Sequence, residues 1–152
     1  MAPGMGTMAV LEGDSWFKLH GMTDAPELTL AAWIFLPQVP SSQFPASSMS
    51  MKTIAATKIS GCKNTGPSSG GWAFFVHEWG TTNRQLRLSW TDADSACHEL
   101  FSRTGLVPFD SWVLVAFSLS AAQDRAVLLV GGEVVADTRG GLGSYACAGR
   151  ER

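Results

Sequence analysis

Leu28–Leu36 (LTLAAWIFL), Trp112–Leu119 (WVLVAFSL) and Ala126–Ala136 (AVLLVGGEVVA) decide the fold class of this chain. Extended, the first segment puts Leu28, Leu30, Ala32, Ile34 and Leu36 on one face and Ala31, Trp33 and Phe35 on the other. A strand apolar on both faces reads as one buried inside a two-layer sandwich. A buried helix can carry the same run, but the aromatic and β-branched content, with Pro26 before and Pro37 after, favours the strand. In the third segment Gly131-Gly132 predicts a two-residue hairpin turn, because its positive φ angles cost glycine nothing.

Working outward, further strand-sized runs appear. Lys52–Lys58 (KTIAATK), Gly71–Glu78 (GWAFFVHE), Arg84–Thr91 (RQLRLSWT) and His98–Ser102 (HELFS) are each bounded by turn-rich sequence. In the third of these, Leu86, Leu88 and Trp90 share one face while Gln85, Arg87 and Ser89 share the other, so a half-exposed strand is expected. Residues 38–51 and 60–71, rich in Ser, Pro and Gly, read as long loops. No segment carries a helical period. The pattern predicts an all-β domain of two antiparallel sheets, without internal repeat or second domain.

Composition narrows the function. The 152 residues suit one domain; 45% are hydrophobic and 16% charged, against the usual quarter for charge. A net charge of -2 with scattered cations offers no footprint for nucleic acid. No apolar run approaches the roughly 20 residues of a membrane span, and MAPGMGTMAVLEGD lacks the basic and apolar regions of a secretory signal. Cys62, Cys97 and Cys147 show no metal-site spacing; free thiols and a Cys62–Cys97 bridge both remain open, the bridge requiring an oxidising compartment.

The order of the segments resembles the laminin-G-like and pentraxin-like branch of the concanavalin A-like lectin/glucanase superfamily. The likeness runs through residues 8–138. It includes MAVLEGDSWFKL (Met8–Leu19), the Trp-bearing LTLAAWIFLP, GGWAFFVHE, RQLRLSWTD, the turn LVPFDSWVLVAFSLS and the hairpin AVLLVGGEVVADT. The resemblance implies a jelly-roll sandwich and a non-enzymatic, lectin-like module that binds carbohydrate or protein through its loops. Relatives are often extracellular, and some bind Ca2+. Residues 1–7 are then a disordered start. Residues 139–152 (RGGLGSYACAGRER) form a glycine-rich tail where the family has closing strands. An open sheet edge is therefore expected, available to a partner chain or to the rest of a larger protein. A structural domain completed in that way is the alternative function.

Candidate site residues follow. Trp72, Trp79 and Trp90 can stack on the apolar face of a sugar, with Asn83 beside Trp79 in the loop that follows it, whereas Trp16, Trp33 and Trp112 read as core. Asp92 and Asp94 are the candidate calcium ligands, being hard oxygen donors in one turn. Superfamily glucanases carry two glutamates bracketing an aspartate on one strand, which supply acid and nucleophile. This chain has no such run, and no G-x-S-x-G elbow, so no catalytic residue is expected. His77 and Glu78 are adjacent on a strand and so point to opposite faces.

Overall fold

The computed structural model describes residues 26–38, 49–57, 71–79, 83–92, 96–140 and 142. Within them lie eight strands: β1 (Glu27–Phe35), β2 (Met49–Ala56), β3 (Trp72–Trp79), β4 (Gln85–Thr91), β5 (Cys97–Phe101), β6 (Trp112–Ser120), β7 (Arg125–Val130) and β8 (Glu133–Arg139). They form two four-stranded sheets, ordered β1-β6-β7-β8 and β2-β3-β4-β5, with every pairing antiparallel. The chain leaves the first sheet after β1, lays down the whole second sheet as a meander, and returns so that β6 pairs with β1. This is the expected all-β sandwich.

Register explains the core. Leu28, Leu30, Ala32 and Ile34 of β1 stand opposite Leu119, Phe117, Val115 and Val113 of β6. That inner row continues across β7, where Leu119 meets Ala126 and Phe117 meets Leu128. From the facing sheet come Trp72 opposite Trp90, Phe74 opposite Leu88 and Val76 opposite Leu86. The Phe117 ring joins the layers, 4.9 Å from Trp72 and 5.0 Å from Phe74 between centroids. Leu36, Val107 and Leu142, outside the strands, complete the buried cluster.

The glycine hairpin has φ of 62° at Gly131 and 88° at Gly132, both in the left-handed region that side chains resist. The β7–β8 register shifts between Leu128 and Leu129, which pair with Ala136 and Val134 and leave Val135 of β8 as the extra residue.

Several expectations need correcting. Met49–Met51 open β2 instead of ending a loop, because they pair with His77–Trp79 of β3. β1 is buried on one face alone: its exposure alternates strictly, and Trp33 and Phe35 are 41% and 45% exposed. Trp33 is therefore not a core residue, and Trp112 is only half-buried. The reason is that the second sheet packs on the opposite face of β1. Conversely, β4 is more enclosed than its alternation predicts, since Ser89 and Thr91 on its outer side are buried. Trp16 lies outside the described residues.

Candidate functional site

The residues singled out in the sequence divide among three places. Trp72 and Trp90 face each other across β3 and β4 at 1% exposure each, so their rings pack on protein and present no face to solvent. The expected platform of Trp72, Trp79 and Trp90 thus has two of its members in the interior. Of Trp79, only its place in β3 is described. Asn83 is half-buried, and its carbonyl accepts a 2.7 Å bond from Gly105 N–H. Beside it, Arg84 takes a φ of 48°. Its guanidinium donates to the Val107 carbonyl at 3.1 Å and covers the Phe109 ring at 4.6 Å. The 83–84 turn is therefore held by the 105–109 loop.

Asp92 is built into a turn. Its Oδ1 accepts the Ala96 N–H at 2.8 Å, its Oδ2 lies 2.7 Å from His98 Nε2, and its own N–H bonds the Ala96 carbonyl. The His98 ring stacks on Trp90 at 5.5 Å and 15°. Both carboxylate oxygens thus hold the hairpin between β4 and β5 closed. Asp94, the other candidate calcium ligand, lies outside the described residues. Among the described residues no group of three or more His, Cys, Asp or Glu gathers where a metal could sit. Cys97, next to His98, is disulfide-bonded; Cys62 and Cys147 lie outside the described residues.

The most distinctive surface is one that sequence reasoning assigned to the core: the outer face of the first sheet. Strand parity and register lay it out in rows. At one end Glu27, Ser120, Arg125 and Arg139 align across the four strands, followed by Thr29, Ser118, Val127 and Asp137. This half is polar. Thr29 and Ser118 join hydroxyls at 3.0 Å, and Glu27 Oε1 accepts from Ser120 Oγ at 3.0 Å and from Ala122 N–H at 3.1 Å. Arg125 grips Asp137 through two bonds of 3.0 and 2.6 Å. Those hydrogen bonds, more than the charge itself, hold the Asp137 carboxyl below the usual carboxylate range and push the Arg125 guanidinium up.

The other half is apolar. Ala31, Ala116, Leu129 and Val134 make the next row, then Trp33 and Leu114, then Phe35 opposite Trp112. The last two rings contact at 5.7 Å, tilted by 54°. Val134 is 56% exposed, like Trp33 and Phe35 a large side chain open to water. At the rim, Asp110 Oδ1 accepts the Gln38 N–H at 2.9 Å, fixing the chain just beyond the aromatic pair. Large contiguous apolar patches on a protein surface mark sites of interaction.

The chain matches no protein-family model and none of the curated proteins. No helix among the described residues is long and apolar enough to cross a membrane.

Proposed function

We propose that this protein is a non-enzymatic recognition module, lectin-like in the sense of the laminin-G-like and pentraxin-like domains it resembles. Its ligand, a carbohydrate or a protein, binds the outer face of the first sheet. The observation that carries this reading is the apolar half of that face, where Trp33 and Phe35 stand 41% and 45% exposed beside Trp112 on a rigid strand pair. Aromatic rings offer a large contact area with only two side-chain torsions to immobilise, and both the CH face of a pyranose and apolar protein side chains are complementary to them. The ligand then sits on strands, not on the loops that the family likeness implies.

A structural role is the second reading, favoured by the sheet edges: among the described residues β1 pairs only with β6 and β8 only with β7. Such edges can accept a strand from a partner.

A glycan array with a parallel protein pulldown tests the first reading, using the wild type and the Trp33→Ala/Phe35→Ala double variant. Specific binding by the wild type, reduced tenfold or more in a variant of unchanged melting temperature, is expected. Silence in both assays from folded protein, or binding that ignores the double variant, would overturn it.

A further inference from the structure

The two halves of the outer face are arranged so that the face complements itself. We propose that its occupant is a second copy of this chain, docked sheet to sheet about a two-fold axis parallel to the strands; this rests on reading the face as a binding surface. Packed sheets run within about 30° of each other and about 10 Å apart. An axis along the strand direction preserves each row and reverses the order of strands within it. β1 therefore comes to lie over the partner's β8, and β6 over the partner's β7.

Three consequences follow from the observed register. The apolar row meets its own copy: Ala31 faces Val134, and Ala116 faces Leu129. The bulky Trp33 meets the tip of the β7–β8 hairpin, because Gly131 N–H bonds the carbonyl of Leu114, which pairs with Trp33. That tip carries no side chains, and open space surrounds Gly131 and Gly132 where a Cβ would project. Finally, at the polar end, the exposed Glu27 faces the exposed Arg139, once on each side of the axis. A symmetric contact repeats every favourable pair twice, and opposite charges at its rim set orientation and register more than affinity. The other alignment, with the axis across the strands, would lay the aromatic rows over the charged ones.

Light scattering on the full chain over a range of concentrations tests this. The expected mass is twice the 16.2 kDa of one chain. Ala116→Arg, or Val134→Arg should the former fold poorly, should return the monomer with folding intact by circular dichroism. Arg139→Glu should weaken the dimer several-fold, and adding Glu27→Arg should restore it. A wild type that stays monomeric at its highest soluble concentration overturns the proposal. So does a dimer indifferent to Ala116→Arg and Val134→Arg, or a charge swap that fails to rescue in a folded double variant. A monomer that still loses glycan or protein binding on Trp33→Ala/Phe35→Ala would overturn self-association while leaving the recognition surface standing.

Discussion

Phe117 projects from the centre of β6 with no exposed surface and touches Trp72 and Phe74 of the opposite sheet. Tilted and edge-on contacts of this kind add to the burial of the ring. Truncating it removes its ring contacts with Trp72 and Phe74 and leaves a cavity between the two layers. Phe117→Ala should destabilise the protein by about 3–5 kcal/mol. Urea unfolding measures this as a lower midpoint at constant slope. A loss below about 1 kcal/mol would mean that the sheets are joined by other contacts. Trp33→Ala, by contrast, removes a ring 41% exposed and should cost far less stability than binding. Two aromatic residues of similar appearance in the sequence thus lie in opposite environments.

The β7–β8 hairpin combines a glycine turn with a cross-strand ion pair. Arg125 and Asp137 lie on the outer face, so salt and water screen them and their contribution is modest. Its pH dependence has a definite sign. The folded Asp137 carboxyl titrates below its ordinary range, so the pair contributes stability above the unfolded value and loses it as pH falls through the folded one. The melting temperature of Asp137→Asn should therefore fall short of wild type at neutral pH. That gap should close in acid, as pH falls through the lowered titration range of the folded carboxyl, and narrow at high ionic strength. A gap that persisted undiminished in acid would point to packing and not to the carboxylate.

Across the whole molecule, the Cys97 disulfide ties β5, an edge strand among the described residues, to a cysteine outside them. Removing a native disulfide from a small domain typically costs about 2–5 kcal/mol. Reduction, or Cys97→Ser, should lower the melting temperature by several degrees. A thiol titration of the unreduced protein should find one free thiol among its three cysteines. Three free thiols in the folded, unreduced protein would contradict this.

Period-two alternation, glycine placement and aromatic content made the strands, the β7–β8 hairpin and the inner row of β4 legible in the sequence, since each depends on residues close together in the chain. Where a second layer lies is not such a local property. LTLAAWIFL is apolar on both faces, and nothing in it says that Leu30 turns inward and Trp33 outward; the pairing of β1 with β6 and the packing of the second sheet decide that. For the same reason Trp72 and Trp90, candidates for a binding platform, are interior, while Trp33, read as core, is exposed and Trp112 half-buried. The sequence by itself determined that this chain makes a two-sheet sandwich. Only the tertiary structure decided which of its apolar faces is left in water, because burial depends on contacts between residues far apart in the chain.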